Sequence, residues 1–264
     1  MISETCSSVS FDETLSWRDL WKDILPSKQK SCFKRSNRKS EESRKFFAKL
    51  GVQSSSTGSC YYEIGNTKVV AAISGPRECQ RNELTYVTIG YISCHVTFAN
   101  FAYPSKRIST DACMNLESII EDALSSVVCL TRYPASSIDV FVVIIDDDGA
   151  VLPSALTAAS LALIDASIDC YDVLIGSSIL IADDIMIVDP TKAEETQLEN
   201  TADSCSILNI GYLPNFNQIA AFLQTGSCSP SKVADALQKS ISCIPDMHAT
   251  IRFFVAQYKN NKNS

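Results

Sequence analysis

Carboxylates are the residues of this chain best suited to chemistry. Asp146, Asp147 and Asp148 close an apolar run, SIDVFVVIIDDDG at 137–149, and Asp189 opens DPTKAEE at 189–195, which ends on Glu195. Grouped carboxylates can hold a hard cation such as Mg²⁺, or work as acid and base on one substrate. Aspartates before a glycine also make an ordinary solvated strand-to-loop turn, and Asp148-Gly149 fits that role without any chemistry. Other reactive groups are sparse. His95 and His248 stand far apart with no recognisable acid–base partner, which favours structural or surface roles. The 11 cysteines are odd in number and scattered from Cys6 to Cys243, with no CxxC pair. That spacing argues against a zinc cage or a disulfide framework. Buried free thiols in a reducing compartment are the plain reading.

The formal net charge of −7 conceals an asymmetry. Nine basic residues lie between Lys28 and Lys49, opposed only by Glu41 and Glu42, whereas residues 51–264 hold 12 basic and 23 acidic residues. Such a basic run is usually a solvated segment. An acidic body repels polyanions, so any nucleic-acid contact must be local. Lys106 and Arg107 in YPSKRIST, and Arg77 and Arg81 in GPRECQR, are the local candidates, because loop cations touch phosphates without reading bases. Ordinary solubilising loop charge accounts equally well for Lys106 and Arg107, and better for Arg77 and Arg81. No aromatic platform interleaves with them, so base-specific nucleic-acid recognition is not indicated.

The elements that must position these groups follow from length and pattern. With 264 residues and 45% hydrophobic content the chain can build one large domain or two small lobes. The first ten residues lack a basic n-region and an apolar h-region. No apolar run reaches the roughly 20 residues that span a bilayer. A soluble intracellular protein with no membrane contact is expected. Residues 1–50 read as a polar, basic N-terminal extension and residues 51–264 as the folded domain. Within the extension, Leu15, Leu20, Trp21 and Ile24 of FDETLSWRDLWKDIL stand near helical spacing and suit a short docking helix, while Ser27–Lys49 reads as irregular.

In the body, Tyr61–Ser74 predicts a hairpin around Gly65-Asn66. A β-rich stretch follows at Leu84–Phe98, and the stripe Leu116, Ile119, Ile120, Ala123, Leu124, Val127, Val128 predicts a helix over Met114–Leu130. Ser137–Ile145 is apolar on both faces, as a strand covered on both sides would be. Ala155–Ala166 is a small-residue helix suited to close packing on a sheet. Residues 173–189 read as two strands joined near Asp183-Asp184, Cys205–Leu213 and Gln218–Thr225 as a strand pair, and Pro230–Tyr258 as a final helix. Strands and helices mix without strict βαβ alternation, so the fold class is α+β in layers. A β-rich block followed by a helix occurs at 60–130 and again at 173–258, a hint of internal duplication in architecture alone.

Five segments taken in order, GSCYYEIGNTKVVAAISGPRE at 58–78, SIDVFVVIIDDDG at 137–149, LTAASLALIDASI at 156–168, DPTKAEE at 189–195 and LPNFNQIAAFLQTG at 213–226, resemble the RNase PH family, and its eukaryotic RNA exosome ring subunits best. Within these, DDDGAVLPSALTAASLALIDASIDCYDVLIGSSI is most similar to the non-catalytic subunit type named for messenger-RNA transport. The resemblance implies an RNase PH-like fold and partners that are other RNase PH-like subunits of a hetero-hexameric ring, cap subunits and single-stranded RNA. It implies no cofactor, and residence in nucleus, nucleolus and cytoplasm.

The resemblance also implies what is missing. Phosphorolysis sets an anionic phosphate against an anionic backbone, so a site must supply cations and donors. Catalytic relatives hold phosphate with a Gly-Gly-Thr-Arg-like run; here the matching residues are Gly149, Ala150, Val151 and Leu152, without hydroxyl or guanidinium. Active relatives open the helix near residue 111 with two arginines, where this chain has Asp111 and Ala112. The acidic pair survives in altered form as Asp189 and Glu195. The expectation is an inactive scaffold subunit whose loop cations help line an RNA channel. Two rivals remain: an active phosphate-dependent 3′-to-5′ exoribonuclease using Asp189 and Glu195, and an RNase PH-fold interaction protein outside the exosome that docks through its first 50 residues.

Overall fold

The turn at Gly65-Asn66 joins β2 (Gly58–Ile64) to β3 (Thr67–Glu78) in an antiparallel hairpin. In the computed structural model, which describes residues 35, 38–78, 89–102, 110–183, 185–201 and 204–262, this hairpin forms part of a five-stranded sheet. β1 (Phe46–Leu50) pairs antiparallel with β2, and β5 (Ser136–Asp146) pairs antiparallel with β3. β4 (Tyr91–Phe98) lies parallel to β5 at the far edge, giving the order β1-β2-β3-β5-β4. A parallel pair needs a crossover. Here it is helix α1 (Thr110–Val127), which packs on β4.

The second sheet is all antiparallel, in the order β7-β6-β8-β9, with β6 (Ile175–Ala182), β7 (Ile185–Val188), β8 (Cys205–Leu213) and β9 (Gln218–Gly226). Helix α2 (Val151–Asp165) lies against β2 and β3 of the first sheet and against β6 and β8 of the second. A helix apolar all round belongs in a core, and nearly every residue of α2 is buried. Its small side chains admit the sheets closely. A Cβ at Gly58 would stand 2.3 Å from the Ala166 nitrogen, and one at Gly176 would stand 2.2 Å from the Pro153 oxygen. α1 likewise meets β9 as well as β4, so both helices sit between the sheets. Alternate residues of β6 separate two cores: Ile175, Ile179 and Ile181 join the main one, while Leu180 and Ala182 meet Leu198 of α3 (Lys192–Thr201). The last helix, α4 (Pro230–Lys262), packs on β6 and β8 and continues through Pro245.

The α+β expectation holds, and the structure departs from the sequence reading in four places. β1 falls inside the segment assigned to the extension, and residues 35–44 bond to the body, so the folded unit starts before residue 51. α1 ends at Val127 because Val128 leaves to bridge Cys170. β5 is covered on one face only: Ile138, Val140, Val142 and Ile144 are buried, while Phe141 and Val143 are 41% and 37% exposed. The helix α3 had no counterpart in the reading of periodicity. Both halves do run strands before a helix, but their strand orders differ.

Among the described residues the cysteines are free thiols, and burial pushes Cys60, Cys94 and Cys170 up to about 12. No described helix is long and apolar enough to cross a membrane. The docking-helix reading at residues 11–25 lies outside the described residues.

Candidate functional site

β5 delivers Asp146, Asp147 and Asp148 to the mouth of α2, and the chain turns through Gly149 at φ +86° and Ala150 at φ +54°. The turn is pinned, which corrects the expectation of a solvated loop. Thr67 Oγ1 receives the Asp148 amide at 3.1 Å and donates to the Gly149 carbonyl at 2.8 Å. The Gly149 amide donates to Asp147 Oδ1 at 2.9 Å. β7 brings Asp189 to the same place, its amide held by the Ser178 carbonyl at 2.8 Å.

Arg44 occupies the centre of this site. Its Nε and terminal nitrogen donate to the two oxygens of Asp189 at 2.9 and 2.7 Å, and its amide adds a third bond at 2.7 Å. Another guanidinium nitrogen reaches the Asp148 carbonyl at 2.8 Å. Burial acts to lower the Arg44 pKa, but the hydrogen bond and charge of Asp189 outweigh it and the net shift is upward. Two more arginines close the strap. Arg35 forks onto Glu194 at 2.8 and 2.9 Å and also binds the Val188 and Asp189 carbonyls. Arg38 stands 3.6 Å from Asp189 and 3.8 Å from Glu194. Burial lowers the Arg38 pKa, with help from the neighbouring Arg35. These three arginines of the basic run are therefore internal wiring.

Thr191 and Glu194 explain the unforeseen helix. The Thr191 amide donates to Glu194 Oε2 at 3.0 Å and the Glu194 amide to Thr191 Oγ1 at 3.3 Å, a reciprocal capping box. The Thr-x-x-Glu spacing in DPTKAEE was the available signal. This cap aims Lys192 and Glu195 at the aspartates: Lys192 Nζ lies 3.4 Å from Asp147 and 3.8 Å from Glu195. Glu195 is raised to about 7, chiefly by burial; Asp147 adds to the rise, and Lys192 opposes it. The structure thus separates the acidic pair. Asp189 is paired with the Arg44 guanidinium, and Glu195 stands beside Asp147 and Asp148 with Lys192 and Arg44 as the opposing charges.

The matching phosphate-loop positions carry no donor side chains, and Leu152 is buried in the main core. Asp111 is exposed in the first turn of α1, where a negative charge suits the helix dipole and repels phosphate. Arg77 is ion-paired with Asp139. Arg81, Lys106 and Arg107 lie outside the described residues. His95 is exposed, 3.4 Å from Ser93 Oγ and tilted against Phe141 at a ring distance of 5.4 Å. Among the described residues no group of three or more His, Cys, Asp or Glu side chains is arranged to hold a metal ion.

This architecture has known counterparts. Residues 42–169 match the model of the 3′ exoribonuclease family, domain 1, termed RNase PH. The chain belongs to the RNase PH family. It is 32% identical over 199 residues to the human exosome complex component MTR3, covering 69% of this chain and 71% of that one. Against the Arabidopsis thaliana exosome complex component RRP41-like it is 31% identical over 188 residues, 71% of this chain and 70% of the relative. The fold is similar to a subunit in the structure of the Archaeoglobus fulgidus exosome with RNA bound to the active site, with a TM-score of 0.70 at 19% identity, over 88% of this chain and 98% of that one.

Proposed function

We propose that this chain is a non-catalytic ring subunit of an RNA exosome, assembled with other RNase PH-like subunits and cap subunits around single-stranded RNA. The observation that carries it is the phosphate loop: Ala150, Val151 and Leu152 offer no hydroxyl or guanidinium, and Leu152 is committed to the core. Nothing on these side chains offsets the repulsion between phosphate and an RNA backbone. The locked Asp189 adds to this reading, since a carboxylate bound in both oxygens by a buried arginine is not free for acid–base work. Assembly is supported by the outer face of the first sheet, where Phe47, Phe141 and Val143 are exposed although the strand pattern is apolar on both sides. A neighbouring subunit would supply the missing cover. Arg81, Lys106 and Arg107 would help line the RNA channel, and Arg77 would do so only by exchanging Asp139 for phosphate. We place the protein in nucleus, nucleolus and cytoplasm; imaging of the tagged chain tests that.

The test is a pull-down of the tagged chain from cells, with partners identified by mass and phosphate-dependent RNA decay assayed on the eluate and on the chain alone. Stoichiometric RNase PH-like partners and an inert isolated chain are expected. Isolation without such partners would favour an interaction protein outside the exosome. One observation favours the rival enzyme: Glu195, raised to about 7 beside Asp147 and Asp148, has the protonation behaviour of a general acid. Phosphate-dependent release of nucleoside diphosphates by the chain alone, lost in Glu195→Gln, would establish that reading and end ours.

A further inference from the structure

A groove of about 750 Å³ lies far from the aspartates, between the turn that follows α2 and the second half of α4. Leu50, Ile168 and Val255 are among its apolar lining. Tyr171 and Phe216 form an edge-on pair beside it, ring centroids 6.5 Å apart, 57% and 51% exposed. An aromatic pair this exposed next to an apolar floor is a surface that lacks its cover.

The polar groups of the groove say what would cover it. Its carboxylates are already satisfied. Asp165 accepts from the Ser59 amide and from Tyr258, each at 3.0 Å. Asp169 holds Arg132 at 2.7 Å, and Asp172 takes two bonds from Asn215 at 2.8 Å. Arg252 and Lys259, both exposed on the groove, enter no ion pair among the described residues. His248 Nε2 is buried there without a hydrogen-bond partner among the described residues. The occupant should bring large apolar side chains and carboxylates.

We propose that the groove seats this chain's own segment Phe11–Leu25. The segment carries Asp12, Glu13, Asp19 and Asp23 against only Arg18 and Lys22, with Trp17, Leu20, Trp21 and Ile24 at helical spacing. Its reach is sufficient. The chain at Arg35 is tied to the Lys39 and Glu42 carbonyls, and Cys243 of α4 meets the Glu41 carbonyl. From Cys243 the helix rises about 1.5 Å per residue, so His248 lies roughly 8 Å and Lys259 roughly 24 Å further along. Residues 26–34 can span about 30 Å when extended. The cations of α4 then meet the acidic flank of the segment, and the tryptophans cover the floor beside Tyr171.

The two tryptophans of the chain, Trp17 and Trp21, both lie in this segment, so tryptophan fluorescence excited at the red edge, where tyrosine does not absorb, reports on it alone. Docking predicts emission to the blue of the free Phe11–Leu25 peptide, and weaker quenching by acrylamide. Arg252→Glu combined with Lys259→Glu should lower the docking equilibrium about tenfold, by turning two attractions into repulsions. Quenching should move towards that of the peptide while far-ultraviolet circular dichroism stays unchanged. Wild-type emission and quenching equal to those of the free peptide overturn the proposal. So does protected tryptophan fluorescence that the double charge reversal leaves untouched, since the segment would then be seated elsewhere.

Discussion

Replacing Arg44 with methionine tests the wiring of the site most directly. The Arg44 and Asp189 side chains are each only 6% exposed, and Arg44 makes three hydrogen bonds to that carboxylate and one to the Asp148 carbonyl. Arg44→Met removes two of the three carboxylate bonds and leaves a buried anion with the backbone amide and the more distant Arg38. Breaking a buried pair in this way costs about 3–5 kcal/mol. Arg44→Lys should fail almost as badly, because an ammonium cannot reproduce the two-pronged geometry. Replacing both partners, as Arg44→Met with Asp189→Leu, removes the stranded charge, and the double variant should recover part of the loss, with a coupling of about 1–3 kcal/mol. Urea unfolding of the wild type, Arg44→Met, Asp189→Leu and the double variant measures the cycle. A loss below about 1 kcal/mol in Arg44→Met would mean that the pair is effectively solvated, and the view of Asp189 as a locked structural residue would be wrong.

Three further outcomes are expected. Glu195 is held near 7 in the folded protein against an ordinary 4.5, so the native state keeps an extra proton between those values. Stability should fall as pH rises through that window, by roughly 3 kcal/mol in all, and Glu195→Gln should flatten the slope seen in urea midpoints from pH 4.5 to 8. Gly176→Ala should cost about 1–3 kcal/mol in thermal unfolding, since its Cβ meets the Pro153 backbone, which cannot swing aside. Phe141→Asp with Val143→Asp should change the stability of the chain by less than about 1 kcal/mol, yet abolish co-purification with ring partners; retained partners would place the interface on another surface.

The parts of the fold that were legible are those in which one local signal suffices. Gly65-Asn66 marks its hairpin, the stripe from Leu116 to Val127 marks α1, and the small residues of α2 announce close packing. β1 was hidden because FFAKL follows a run of basic and acidic residues whose partners, Glu194 and Asp189, are about 150 residues away in sequence. Charge composition cannot distinguish a solvated segment from one whose guanidiniums meet buried carboxylates. α3 was missed for a different reason: its residues are mostly polar, so periodicity is silent and only the Thr191–Glu194 cap speaks. At the site, the chemistry missing from Gly149–Leu152 could be read by residue type. The separation of Asp189 from Glu195 could not, because it depends on which carboxylate Arg44 chooses.

The position of α2 limits how this protein can be divided. The family match ends at residue 169, just past that helix, which invites a cut there. Yet Gly58 of one sheet and Gly176 of the other press on opposite ends of the same helix, through Ala166 and Pro153. A fragment ending at 169 would carry α2 with one flank stripped, and its complement would keep α3 and α4 but leave its sheet without α2. The main core draws its residues from both pieces, so melting should spread from one sheet to the other as a single event. For a chain built this way, half a protein is an aggregation hazard, and a viable truncation has to leave both sheets on their common axle.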